Sequence, residues 1–100
     1  MTKIISQMTP IEKIKAGCVD EADLLEFITD NDLLVAIAAA SSPLATAPIL
    51  DIASHDQDYQ IRLAALNNEH LSQDTLLFLC NDPEPLIAQQ AKELVKRRNL

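Results

Sequence analysis

Hydrophobic and polar positions recur along this 100-residue chain at an interval of 26 residues. Rows of 26 residues align without gaps: two acidic positions are followed by an aliphatic position and then by an alanine. Chemical type recurs in register across these rows, which predicts an array of repeated structural units. The aligned sets are Asp30, Asp56 and Asp82; Asp32, Asp58 and Glu84; Val35, Ile61 and Ile87; and Ala39, Ala65 and Ala91.

Each row predicts two short helices. The first opens at the acidic pair, with the first acid as N-cap and the second in the first turn, where carboxylates accept free backbone N–H groups. It stops near Ser41-Ser42-Pro43 or Asn67-Asn68, since proline cannot comfortably continue a helix and asparagine tolerates the left-handed conformation. The second helix begins at a cap position held in successive rows by Asp20, Thr46 and Ser72, with Asp23 completing a capping box in the first of them.

The two ends of the chain depart from the pattern. Near the N-terminus, Thr9 caps a helix that starts at Pro10, has Glu12 at its third position and stops at Gly17. In the last row, Pro83 falls in a first helical turn and one longer helix follows. A helix pair of this length cannot bury both faces alone, so neighbouring pairs must stack.

The predicted fold is therefore all-α, with one domain over residues 1–100. It is a short right-handed α-solenoid of about 3.5 two-helix repeats. Its parts are an atypical N-terminal capping repeat over 1–29, repeats over 30–55 and 56–81, and a C-terminal capping helix over 82–100.

Two consecutive segments carry a family resemblance: AAASSPLATAPILDIASHDQDYQI and AALNNEHLSQDTLLFLCNDPEPLI. They resemble the leucine-rich repeat variant family and, more loosely, HEAT-type α-solenoids. The resemblance spans roughly residues 20 to 95 and implies a curved stack of short helices. Ala36 and Ala88 depart from it, because the family pattern has arginine at those positions. The matching positions are Asp56, Asp58, Ile61, Arg62, Asn67, Ser72, Leu76, Leu79 and Asp82.

Composition and charge restrict the function. The chain is 48% hydrophobic with one glycine and 3% aromatic residues, a composition that favours helix over sheet. Between Asp20 and Glu84 there are 13 acidic residues and one basic residue, Arg62, within a net charge of −7. Such a field repels phosphate backbones and anionic lipid surfaces, so neither nucleic acid nor membrane is an expected partner. The start of the chain lacks the apolar run of a signal peptide, and no stretch is long enough to span a membrane, so a cytoplasmic protein is expected.

Enzymatic chemistry finds no support in the sequence. Gly17 is the only glycine, so there is no glycine-rich phosphate loop, and no Ser-His-Asp or Cys-His arrangement has supporting context. We expect a non-catalytic protein without a cofactor. One alternative keeps metal chemistry open: His55, Asp56, Asp58 and His70 could reach one edge of a stack and ligate a metal. Against it, both aspartates recur in register, which their role at helix starts explains.

Binding is the remaining class of function. Ile52 and Phe78 share one position of the second helix, and Leu77 lies beside it on another face. This apolar column, flanked by the acids Glu26, Asp51 and Asp74, could form a partner groove for a basic amphipathic or extended peptide. The alternative is that these residues fill the core between repeats.

Tyr59 and Arg62 join the candidate partner-binding residues, because the repeat pattern does not account for them. The leading hypothesis is a non-catalytic protein-protein interaction module whose partner is another protein or a second copy of the chain. The alternative is a small metal- or ligand-responsive regulator that uses His55, Asp56, Asp58 and His70.

Overall fold

Seven α-helices form the fold in a computed structural model that describes residues 4–100. The described residues also contain a short 3₁₀ helix, Ile5–Gln7, and no strand. The prediction of an all-α protein is confirmed. The helices are α1 (Pro10–Ala16), α2 (Glu21–Phe27), α3 (Leu33–Ser41), α4 (Ala47–Ser54), α5 (Tyr59–Leu66), α6 (Gln73–Leu79) and α7 (Pro85–Arg97).

The helices are arranged in two layers. In the odd layer, α1 contacts α3, α3 contacts α5 and α5 contacts α7; in the even layer, α2 contacts α4 and α4 contacts α6. The layers meet through contacts of α2 with α3, α3 with α4, α4 with α5, and α6 with α7. Helices α3, α5 and α7 begin at residues 33, 59 and 85, and α2, α4 and α6 begin at 21, 47 and 73, so both series advance by 26 residues. The molecule is elongated, with extents of 46 × 25 × 21 Å.

The core lies between the two layers and includes positions that recur at 26-residue intervals. The aliphatic and alanine positions of the odd layer are buried, as is the leucine position of the even layer. All three alanines have no exposed surface, so odd helices can approach one another closely where a larger side chain would hold them apart. The buried positions are Val35, Ile61, Ile87, Ala39, Ala65, Ala91, Leu24, Leu50 and Leu76.

The starts of α3 and α5 differ in one detail from the prediction. The N-caps are the second acids, Asp32 and Asp58, whose carboxylates accept the N–H groups of Leu34 (3.0 Å) and Gln60 (2.8 Å). The first acids, Asp30 and Asp56, lie before the helix, and each accepts the N–H of the second acid at 2.8 Å. Placing the N-cap at the first acid was therefore wrong by two residues. The hydrogen bond made by the first acid closes a tight turn that orients the backbone for the start of the helix.

Helix α7 also begins later than predicted. Pro83 lies before the helix, and Pro85 occupies its first turn behind the N-cap Glu84. The Asp82 carboxylate accepts the Glu84 N–H at 2.8 Å, repeating the turn that precedes α3 and α5. Because this turn places Pro83 and Glu84 before the first helical residue, Pro83 lies outside the helix.

The caps of the shorter helices follow the prediction. Thr9 and Glu12 form a capping box at α1, and Asp20 and Asp23 form one at α2. Gly17 ends α1 in the left-handed conformation with φ of 72°. The sequence predicts these caps correctly because the interacting residues of each cap lie within about one helical turn of each other.

The caps of α6 and α4 differ from each other. The Ser72 hydroxyl accepts the Thr75 N–H at 3.2 Å at the start of α6. Thr46 holds the same position at α4, but its hydroxyl is buried and has no hydrogen-bond partner among the described residues.

Helices α3 and α5 end where predicted, but α5 does not end through a left-handed asparagine. Asn67 has φ of −81°, so it is not left-handed. The neighbouring Asn68 is buried, and its side-chain amide donates to the backbone carbonyls of Ala40 and Ser42, both at 2.9 Å. Asn68 thereby caps the end of α3 from the following helix pair, and its own Oδ1 accepts the His70 N–H at 2.9 Å.

All the described helices are short. The longest, α7, has 13 residues, and none in the described part of the chain is long and apolar enough to cross a membrane.

Candidate functional site

Four large apolar side chains lie exposed on the even layer: Leu25 (40%), Ile52 (41%), Leu77 (43%) and Phe78 (49%). They occupy two adjacent positions of the 26-residue interval, one held by Leu25 and Leu77 and the other by Ile52 and Phe78. Helices α2, α4 and α6 pack side by side and each contributes at least one of these side chains, so we call the four residues the apolar patch. Its residues lie on the surface and do not fill the core, the alternative that the sequence left open.

Leu25 is the member of the apolar patch that sequence reasoning missed. The signal was present, since Leu25 precedes Asp51 by 26 residues and shares its position with Leu77. The atypical first row obscured it. With Leu25 included, the patch extends over all three helices of the even layer.

The apolar patch lies in a negatively charged surface. Helices α2, α4 and α6 contain no lysine or arginine. The Asp51 carboxylate accepts a hydrogen bond from the Thr75 hydroxyl at 3.2 Å, which ties α4 to α6 under the patch. The electrostatic field of these helices therefore favours cationic groups near the patch. The acidic residues of these helices are Glu21, Asp23, Glu26, Asp51 and Asp74.

His55 supports Phe78 at one side of the patch. The two rings stack with centroids 4.2 Å apart and planes inclined by 18°. The His55 Nδ1 lies 2.8 Å from the Asp51 carbonyl oxygen and 3.9 Å from the nearer carboxylate oxygen of the same residue. The close contact with the Asp51 carbonyl restrains the imidazole, which stacks on the half-exposed phenyl ring.

A groove of about 500 Å³ adjoins the patch beside this stacked pair. His55 and Phe78 form part of its wall, and Arg62 and Asp82 also line it. The groove extends the apolar patch toward the loops that precede α5 and α7.

Arg62 makes structural contacts, and its assignment to the partner-binding set stays a prediction. Its guanidinium donates to both carboxylate oxygens of Asp82, from Nε at 2.8 Å and from Nη2 at 3.1 Å. Its Nη1 donates to the carbonyl oxygens of Asp56 (2.8 Å) and Gln57 (3.0 Å). The Arg62 side chain is 11% exposed and the Asp82 side chain 2%, so the pair fastens one unit to the next. Tyr59 is 45% exposed, but it lies at the start of α5 in the odd layer and is not part of the apolar patch.

Each of the four residues in the metal hypothesis makes contacts of its own. The Asp56 and Asp58 carboxylates accept backbone N–H groups at the start of α5, and His55 stacks on Phe78. His70 lies 4.0 Å from the Glu69 carboxylate in the linker before α6. Within residues 4–100 no group of three or more histidine, cysteine, aspartate or glutamate side chains is placed to hold a metal ion.

Comparisons of the chain with protein-family models, curated proteins and solved structures give no match. The function is therefore inferred from the surface of the protein itself.

Proposed function

We propose that this protein is a short α-solenoid of HEAT-like repeats that acts as a non-catalytic protein-interaction module. The two layers with helix starts at 26-residue intervals support the architecture. One observation supports the function. Leu25, Ile52, Leu77 and Phe78 are exposed together on the even layer, whereas the residues of the core are buried. An exposed apolar face of this kind is typical of a binding surface.

The partner that fits this face is a basic amphipathic segment of another protein chain. Its apolar side chains would cover the apolar patch, and its lysine or arginine side chains would pair with the surrounding acids Glu26, Asp51 and Asp74. Charge complementarity raises the association rate and selects against acidic partners. A helix laid across a groove is an established mode of peptide recognition and needs only a stripe of apolar anchors.

A synthetic amphipathic peptide of leucine and lysine tests this proposal. With a fluorescent label on the peptide, anisotropy should show saturable binding to the protein. The matched peptide with glutamate in place of lysine should not bind. Ile52→Asp and Phe78→Asp should each weaken binding at least tenfold, about 1.4 kcal/mol, because each places a charge under the apolar anchors of the peptide.

Leu34→Asp supplies the matched control. Leu34 is 65% exposed but lies on α3 in the odd layer, so this variant should bind the lysine peptide as the wild type does. Helical circular dichroism should be unchanged in all three variants. Equal weakening by Leu34→Asp, or no binding of the lysine peptide to the wild type, would contradict the proposal.

A further inference from the structure

Helix α7 presents a basic amphipathic stripe to solvent. Leu86 and Leu100 are 46% and 48% exposed at its two ends, and Lys92 and Lys96 are exposed between them. At 3.6 residues per turn Leu86, Lys92 and Lys96 span an arc of about 120°, roughly a third of the helix circumference. The opposite side, with Ile87 and Ala91, is buried against α5 and α6.

The far end of this stripe is held in place. Asn99 is left-handed with φ of 57°, and the Leu100 N–H donates to the Val95 carbonyl at 3.1 Å while the Asn99 N–H donates to that of Lys96 at 3.2 Å. This pair of bonds is a Schellman cap, which fixes the residue after the helix beside its last turn. The Arg98 Nη1 also donates to the Leu71 carbonyl at 3.4 Å, tying the end of α7 to the linker before α6. Leu100 is therefore a positioned anchor.

We infer that the segment which occupies the apolar patch is α7 of a second copy of this chain. The inference rests on the proposed function and names its partner. Charge supports it: between Asp20 and Glu84 the chain has 13 acidic residues and one basic residue, whereas α7 and its C-cap carry Lys92, Lys96, Arg97 and Arg98 against the single acid Glu93. One molecule thus contains both an acidic receptor face and a basic ligand helix.

The dimensions of the two surfaces agree. Leu86 and Arg97, the last residue of α7, are separated by about 16.5 Å at the α-helical rise of 1.5 Å per residue, and Leu100 lies beside this last turn. The apolar patch extends from α2 to α6, two helix spacings within one layer, or roughly 16–20 Å at usual packing distances. The leucines at the two ends of α7 can therefore reach the two ends of the patch, with Lys92 and Lys96 above the acids between them.

Sedimentation equilibrium at low ionic strength over a wide concentration range tests the inference. The wild-type protein should show a mass above the 11.0 kDa of one chain, and the excess should increase with concentration. Two charge-reversed variants should each remain at the mass of one chain: Glu26→Lys/Asp74→Lys on the patch and Lys92→Glu/Lys96→Glu on α7. The first variant places lysines on the patch opposite Lys92 and Lys96, and the second places glutamates on α7 opposite Glu26 and Asp74, so like charges face one another in both.

Mixing the two variants provides the decisive measurement. The acidic face of one variant then meets the basic α7 of the other, and the basic face meets the acidic α7, so association should return in the mixture alone. Gln60→Lys/Glu69→Lys is the control: it adds positive charge at exposed sites off the patch and should associate as the wild type does. Circular dichroism checks that every variant is folded.

The outcomes separate this inference from the proposed function. A wild-type protein of 11.0 kDa at every concentration overturns the inference. So does a mixture no heavier than its separate components. If the lysine peptide still binds in either case, the interaction module stands and its partner is a different protein; if the peptide also fails to bind, both are wrong.

Discussion

At the scale of single residues, two polar side chains connect helix pairs that are distant in the sequence. The Asn68 amide donates to Ala40 and Ser42, 28 and 26 residues earlier. Arg62 reaches forward to Asp82, 20 residues later. Both side chains satisfy groups that are shielded from water, where an unpaired donor or acceptor is costly. Their role is to fix the spacing between neighbouring units.

Replacing Asn68 tests this role. Asn68→Ala removes the donor to two carbonyl groups at the end of α3 and should lower the free energy of unfolding by about 2 kcal/mol, because those carbonyls lose their side-chain partner. Asn67→Ala is the matched control: Asn67 is exposed, and its substitution should change stability by less than about 0.5 kcal/mol. Urea denaturation followed by circular dichroism measures both. Equal losses would show that Asn68 is no more important than its exposed neighbour.

At the scale of the element, the helices depend on their ends and on packing. Six of the seven α-helices have between seven and nine residues, too short for a stable isolated helix in water. Capping residues direct each start, and burial of one face supplies the rest of the stability. Equivalent cap positions differ in their hydrogen bonds, as Ser72 and Thr46 show.

These two cap positions give a paired prediction. Ser72→Ala should destabilise the protein by about 1 kcal/mol, because the Ser72 hydroxyl accepts the Thr75 N–H at the start of α6. Thr46→Val should cost nothing or stabilise the fold, because it replaces a buried hydroxyl without a partner in the described structure by a methyl group of the same shape. Thermal and urea unfolding of both variants measure the difference. A loss in Thr46→Val as large as that in Ser72→Ala would contradict the assignment.

At the scale of the whole molecule, the fold is built from contacts between neighbouring helices. Each odd helix contacts the next odd helix, each even helix the next even one, and the long dimension of 46 Å follows from this stacking. Helices in the middle are covered on both sides, whereas α1 and α7 are each packed within their layer against a single neighbour. Local opening should therefore be easier at the ends.

Hydrogen exchange tests this gradient of stability. Backbone amides in α4 and α5 should exchange most slowly, and those in α1 and in the last turns of α7 fastest, because opening an end breaks fewer contacts than opening the middle. Mass spectrometry of peptides from exchanged protein gives the protection of each helix. Uniform protection from α1 to α7 would show instead that the molecule opens as one cooperative unit. If α7 also binds a second copy, its protection should rise with protein concentration.

The sequence by itself determined the all-α class, the starts of most helices and the buried positions at 26-residue intervals. These features depend on caps and side-chain periodicity, and their partners lie within a few residues of one another. The same periodicity identified Ile52, Leu77 and Phe78 as candidate partner-binding residues. The N-caps of α3 and α5 were misplaced because two acids in one turn compete for the same role, and backbone geometry decides between them.

Only the tertiary structure decided how distant residues meet. The structural role of Arg62, the bridge made by Asn68 and the stacking of His55 on Phe78 each join groups between 20 and 28 residues apart within a few ångströms. Hydrophobic periodicity can show that a position lies on a given side of a helix, but it cannot show which polar group from another helix will face it. The same limit applies to the apolar patch, since exposure depends on what the neighbouring helices leave uncovered.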